Sequence, residues 1–358
     1  MKKGNLSKLI RPSVLALKAY EAREIPCTVK LDANESPYSP LPLEKVFSKK
    51  DILCSLNRYP DPEAGALKKA LAKDLKVTEK NLLFGNGSDE LIYYLITTLG
   101  GPVLFPVPTF VMYGVIAQAL GEEAIAIPLD DDFDLNNDMM LAMIKEDRPK
   151  LVFLSSPNNP TGNCFSTDRI MKIIEASKGI VVVDEAYAPF SSRRGFLPLL
   201  RDYANLVILR TMSKIGFAAL RVGYMIADEG LIREVNKVRL PYNLNSLSQS
   251  VALEGIKNKK IVDAQIRIIA GERDRLFDEL SAIRGISPFP SEANFILCKV
   301  PDAGKLYRGL LTQGVLVKNM DRMVPNTIRV TIGLPRENTL FIAALKKVLP
   351  KVIIKSDT

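Results

Sequence analysis

Between residues 82 and 228, short apolar runs rich in β-branched side chains alternate with longer stretches of helical periodicity. No other feature constrains the fold of this chain so tightly. Strands are expected at Asn81–Phe84, Val103–Phe105, Ala124–Pro128, Leu151–Leu154, Ile180–Val183, Leu206–Leu209 and Gly223–Ile226. Runs that are apolar without interruption belong to strands covered on both faces. Strands alternating with helices predict a mostly parallel sheet flanked by helices, an α/β fold whose ligand lies at the carboxyl ends of the strands.

Beyond about residue 245 the pattern changes. A long helical stretch over Ser246–Leu280 precedes strands at Ala293–Lys299, Val315–Lys318 and Thr327–Thr331, and a last helix covers Glu337–Leu349. The expected organisation is an N-terminal arm (1–32) joined to the small domain, a large domain (33–245) and a smaller α+β domain (246–358). At 358 residues and 47% hydrophobic the chain can bury a core of that extent. Residues 91–121 carry no charge, but Gly100-Gly-Pro102, Pro106 and Pro108 divide them into elements too short to span a membrane.

Two of the strands end in reactive side chains. Ile180-Val-Val-Val-Asp184-Glu-Ala-Tyr187 delivers a carboxylate, and Leu206-Val-Ile-Leu-Arg-Thr-Met-Ser-Lys214 delivers an amine. A surface lysine and a structural aspartate would explain either alone. Together, from strand ends to one crevice, they are what a pyridoxal 5′-phosphate (PLP) site needs. The amine condenses with the cofactor aldehyde, and the carboxylate keeps the pyridine nitrogen protonated.

The intervening loops add to this. Gly85-Asn-Gly87-Ser88-Asp89-Glu90 follows a strand and opens a helix, so free N–H groups of the first turn can face a phosphate; a capped helix start explains the same residues. Phe110 can stack on a flat cofactor or belong to the core. Ser155-Ser-Pro157-Asn-Asn159-Pro-Thr-Gly162 is a stiffened strand-end loop whose Asn159 offers an amide donor to the cofactor's 3-oxygen, which Tyr187 can also reach. Ser213 and Arg221 can clamp the phosphate, the arginine as a bidentate fork.

Composition excludes much else. The chain has no histidine, which removes every imidazole base and every His-ligated metal, and no metal site is expected. Four cysteines without paired spacing fit reduced thiols in the cytoplasm. The net charge of +9 comes from scattered residues without interleaved aromatics, so it favours anionic small molecules over nucleic acid. No apolar stretch of signal-peptide length follows the basic N-terminus.

With these residues in place, the chain resembles the fold-type I PLP aminotransferases, and within them the histidinol-phosphate aminotransferase family. The most specific pieces are Leu31-Asp-Ala-Asn34-Glu35-Ser-Pro37-Tyr38, Asn57-Arg-Tyr59-Pro60, Ser156-Pro-Asn-Asn159-Pro-Thr-Gly162, Asp184-Glu-Ala-Tyr187, Arg239-Leu-Pro-Tyr-Asn243 and Ile328-Arg329-Val-Thr. The resemblance implies that Lys214 carries the cofactor and shuttles the proton, that Asp184 pairs with the pyridinium, and that Asn159 and Tyr187 hold the 3-oxygen. It implies phosphate contacts from Ser88, Asp89, Ser213 and Arg221, and from Tyr59 of a second subunit, hence a two-fold homodimer with shared active sites. It places Tyr20, Asn34, Asn159, Lys318 and Arg329 on the substrate side, with Arg329 also taking the carboxylate of a 2-oxo acid. The implied reaction is transamination of L-histidinol phosphate with 2-oxoglutarate.

The chain departs from that family in three places. Phe110 stands where a tyrosine usually stacks on the ring, the segment from Lys214 to Arg221 is one residue shorter than the longer family form, and Lys318 stands where many members have an arginine. An aromatic or broad-specificity amino-acid aminotransferase, a PLP-dependent decarboxylase of a phosphorylated amino acid, and a non-catalytic binding protein on the same scaffold remain alternatives.

Overall fold

The computed structural model describes residues 7–19, 24–41 and 57–353. Its strands are β1 (Val29–Leu31), β2 (Leu82–Asn86), β3 (Val103–Val107), β4 (Ala124–Pro128), β5 (Leu151–Ser155), β6 (Ile180–Asp184), β7 (Leu206–Thr211), β8 (Val222–Ile226), β9 (Ser287–Pro288), β10 (Phe295–Lys299), β11 (Val315–Asn319) and β12 (Thr327–Thr331). They form two sheets. The larger runs β2-β8-β7-β6-β5-β3-β4. Strands β3 to β7 are parallel, while β8 runs antiparallel to both neighbours, β7 and β2.

The central strands are buried on both faces, as their unbroken apolar runs require. Alternate residues serve opposite cores. Val152, Leu154, Val181, Val183, Leu206 and Ile208 face one side, where Met140, Ile144, Ile170 and Ile173 of the helices Asn137–Asp147 and Thr167–Ala176 cover them. Leu151, Phe153, Val182, Val207 and Leu209 face the other, under the helices Ser88–Leu99 and Met112–Leu120. Each such side chain contributes about 1.5–3 kcal/mol by leaving water, so the sheet is a rigid platform for the loops at its ends.

The smaller sheet has the order β1-β11-β12-β10-β9. Its core takes Val29 and Leu31 from β1, which pairs parallel with β11. The helices Lys259–Ser281, Ala303–Thr312 and Pro335–Ile353 cover it through Leu276, Leu306, Leu310, Phe341 and Leu345.

The single helix expected over Ser246–Leu280 is two, Ser246–Lys257 and Lys259–Ser281. They are separated at Asn258, whose side-chain amide donates to the carbonyl of Glu254 at 2.8 Å. Val251, Ala252 and Val262 pack with the large sheet, whereas Ile269, Leu276 and Leu280 pack with the small one. The second helix therefore bridges the two cores. Among the described residues no helix is long and apolar enough to cross a membrane.

Candidate active site

Asp184 is the last residue of β6 and is 4% exposed. It sits in register between Ser155 of β5 and Leu209 of β7. Its Oδ2 accepts the Tyr113 hydroxyl at 2.7 Å and its Oδ1 accepts the Ala186 N–H at 3.0 Å. Burial pushes this carboxyl up to about 6, against the pull of those two hydrogen bonds. Both partners are neutral. Tyr113 is itself fully buried, stacked on Phe153 at 4.7 Å between centroids, and burial holds its hydroxyl well above the usual tyrosine range, so it stays a donor. The sequence pointed to Phe110 in this motif and did not single out Tyr113, which lies in the helix Met112–Leu120 that Phe110 precedes.

Lys214 lies in the loop after β7, the strand beside β6. Its Nζ is 5.7 Å from the centroid of the Tyr187 ring. Tyr187 packs edge-on against Phe295 of the small sheet at 5.1 Å, and its hydroxyl accepts the Asn34 amide at 3.0 Å.

The loop after β5 is held by Asn158, a residue the sequence reading did not single out. Its buried side chain accepts from Thr109 at 2.7 Å and donates to the Pro108 carbonyl at 2.9 Å and to Thr161 at 2.8 Å. Asn159 is thereby presented to Arg329, whose Nη1 donates to its Oδ1 at 2.5 Å while Nη2 donates to the Asp32 carbonyl at 2.8 Å. Arg329 also lies over Phe295 at 5.2 Å. Lys318 of β11 is its cross-strand partner, so both cations share one face of the small sheet.

Gly87, Ser88, Asp89, Ser213 and Arg221 converge at the mouth of the β2–β8 pair. Gly87 has φ of 84° and precedes the helix Ser88–Leu99 without a capping side chain. Its N–H donates to the Arg221 carbonyl at 2.6 Å. A Cβ on Gly223 would come within 2.4 Å of the Ser88 nitrogen, so β8 and the helix start are in backbone contact. Arg221, in a left-handed turn at φ 54°, reaches Ser213 Oγ at 3.4 Å and Asp89 at 3.6 Å. Burial raises the Asp89 carboxyl, opposed by Arg221 and Lys214.

Phe110 lies edge-on at 5.6 Å to Tyr113, the residue bonded to Asp184. Tyr59 is elsewhere: it is 81% exposed and stacks on Tyr242 at 4.5 Å. Tyr20 lies outside the described residues.

This donor set fits PLP. A buried carboxylate with neutral partners suits a pyridinium nitrogen, and a glycine-lined helix start with a serine and an arginine suits a phosphate dianion. Among the described residues no cluster of His, Cys, Asp or Glu could hold a metal ion.

Residues 27–344 match the family model for aminotransferase class I and II. The chain is 39% identical over 352 residues to the histidinol-phosphate aminotransferase of Caldanaerobacter subterraneus subsp. tengcongensis, covering 96% of this chain and 99% of that one. It is 41% identical to histidinol-phosphate aminotransferase 2 of Nitrosococcus oceani, covering 97% and 99%. Among solved structures, it matches the histidinol-phosphate aminotransferase of Sinorhizobium meliloti in complex with pyridoxal-5′-phosphate. That match has a TM-score of 0.83 and 24% identity, over 96% of this chain and 98% of that one.

Proposed function

This chain belongs to the aminotransferases of class I and II, among the histidinol-phosphate aminotransferases, and from that membership we propose how its cleft works. It is a PLP-dependent transaminase. It moves an amino group from L-histidinol phosphate to 2-oxoglutarate, giving imidazole-acetol phosphate and glutamate, a step of L-histidine biosynthesis.

PLP, when bound, supplies an aldehyde that takes up the amine and a ring that accepts the electron pair left at the donor's Cα. The protein does the rest. Asp184, in its buried niche, keeps the ring nitrogen protonated, and Tyr113 holds that carboxylate in place. Asn159 and Tyr187 hold the 3-oxygen. Lys214 Nζ would carry the cofactor and, once released, would take the proton from Cα of the donor and deliver it to C4′ of the cofactor. The N–H groups at Ser88 and Asp89, with Ser213 and Arg221, bind the cofactor phosphate. Phe110 would stack on the ring.

Arg329, with Asn159 and Lys318, receives the substrate phosphate, and Arg329 alternately takes the carboxylate of 2-oxoglutarate. The enzyme is a homodimer in which Tyr59 reaches the partner's cofactor phosphate. The exposed Tyr59–Tyr242 stack beside exposed Leu240 supports a surface that is covered by a second copy. Cys27, Cys164 and Cys298 are all free, which supports a reducing cytoplasm.

The observation that supports this reading most is the delivery of Asp184 and Lys214 from adjacent parallel strands to one crevice, with Arg329 across it. PLP-loaded protein should form glutamate from L-histidinol phosphate and 2-oxoglutarate far faster than from phenylalanine. Equal or reversed rates would move the substrate to aromatic amino acids.

A further inference from the structure

We propose that Asn34 is a positioning residue that fixes which way the Tyr187 hydroxyl points, and that it does so from the small sheet. The inference rests on the cleft being a PLP site.

The Asn34 N–H donates to Thr331 Oγ1 at 2.9 Å, so that hydroxyl is already an acceptor. Its own proton goes to Asn34 Oδ1, 3.1 Å away. Turned the other way, the amide would leave the proton of the buried Thr331 hydroxyl without an acceptor among the described residues, so its oxygen faces Thr331 and its NH2 group faces Tyr187. That NH2 lies 3.0 Å from the Tyr187 hydroxyl. An amide nitrogen can only donate, so the tyrosine oxygen accepts. The tyrosine's proton must then leave in another direction, and among the described residues no hydrogen bond takes it. It is free for an anionic oxygen in the cleft beside Lys214.

The support for Asn34 is stiff. The residue is 1% exposed, and its carbonyl accepts the buried Asn294 amide at 3.0 Å. Its φ of 55° lies in the left-handed region, which asparagine, aspartate and glycine adopt more readily than other residues. Thr331 ends β12, two residues after Arg329 on the same strand. Tyr187 follows β6 of the large sheet. The strand that carries the substrate-binding arginine thus also anchors the tyrosine that serves the cofactor.

An outward-pointing proton on Tyr187 stabilises negative charge on the cofactor's 3-oxygen. It should hold down the pH midpoint at which the visible band of the bound cofactor changes. Of the charged groups nearby, Lys214 on the loop after β7 lies 5.7 Å from the Tyr187 ring, Arg329 on β12 lies over the Phe295 ring against which Tyr187 packs, and Asp184 ends β6 three residues before Tyr187; the variants below leave all three in place. Asn34→Asp keeps the shape and the backbone conformation but cannot donate, so Tyr187 must turn its proton toward the new carboxylate.

The test is a double-mutant cycle on PLP-loaded protein, read by absorbance titration. Asn34→Asp should raise the midpoint by about one pH unit, and by clearly less in a Tyr187→Phe background, where no proton remains to be turned. Asn34→Gly, which tolerates the same φ and adds no charge, should give a smaller rise that vanishes in the Tyr187→Phe background. It also serves if the aspartate variant fails to fold. Equal shifts in both backgrounds would overturn the role of Asn34 while leaving the cofactor reading intact. A wild-type protein with no visible band, or a band that survives Lys214→Ala, would overturn the cofactor reading and this inference with it.

Discussion

The hydroxyl of Tyr113 lies 2.7 Å from Oδ2 of Asp184 and is the one side-chain hydroxyl bonded to that carboxylate among the described residues. Replacing it removes a donor from a buried charge while leaving the ring to pack on Phe153. Tyr113→Phe should weaken PLP binding by about tenfold, equivalent to roughly 1.4 kcal/mol for one hydrogen bond to a charged group. Fluorescence titration of the apo-protein reads this directly, and an unchanged affinity would remove Tyr113 from the site.

Asp184 makes a second prediction through pH. Its carboxyl is raised from 3.8 to about 6 in the folded protein. The folded state thus holds a proton that the unfolded chain has released between those values. The contribution of Asp184 to apo-protein stability therefore falls as pH rises from 4 through 6, by about 3 kcal/mol once the group is fully ionised. Asp184→Asn should be more stable than wild type without cofactor at pH 7.5 and no more stable near pH 4, while losing PLP affinity. Thermal melts at the two pH values check it. A variant less stable than wild type at pH 7.5 would contradict the sign.

Gly223 has no room for a methyl group, because its Cβ would meet the backbone of Gly87 and Ser88 at 2.5 and 2.4 Å. Gly223→Ala should cost about 1–3 kcal/mol through forced separation of β8 from the helix start. Gly87→Ala should cut PLP affinity more directly, because its φ of 84° disfavours any side chain and its Cβ would lie 2.5 Å from Nη2 of Arg221, the phosphate clamp. Paired melts with and without PLP separate the two effects.

Lys318 and Arg329 face each other across β11 and β12. If both read the substrate phosphate, Lys318→Ala should raise KM for L-histidinol phosphate by roughly tenfold with little change in kcat. The KM for 2-oxoglutarate, assigned to Arg329, should move much less. An equal effect on both substrates would make Lys318 a general field effect.

Tyr59 and Lys214 should belong to different subunits of one site. Lys214→Ala and Tyr59→Ala proteins, each nearly inactive, should regain roughly a quarter of the wild-type rate when unfolded together and refolded, because mixed dimers rebuild one intact site. No recovery would place Tyr59 outside the neighbouring site.

The strands were legible because their signal is local. Ala124–Pro128 and Thr327–Thr331 begin and end where the apolar pattern does, and Asp184 and Lys214 could be found by following two such runs to their ends. The break at Asn258 was not legible, since helical periodicity runs through it and the side chain that caps the first helix is an ordinary asparagine. Tyr113 and Asn158 were hidden for a different reason. Each acts by reaching a neighbouring strand or loop, and a single chain read in order carries no record of which strands become neighbours.

The reversed direction of β8 has a consequence for the loop between Lys214 and Arg221. Thr211 and Gly223 are cross-strand partners, so the loop leaves and re-enters the sheet at one rung of the ladder. Its length is decoupled from the position of everything outside it, like slack in a rope tied at both ends to the same rail. A residue more or less there moves neither anchor, and a chain shortened at this place can keep its lysine and its arginine on the same cofactor.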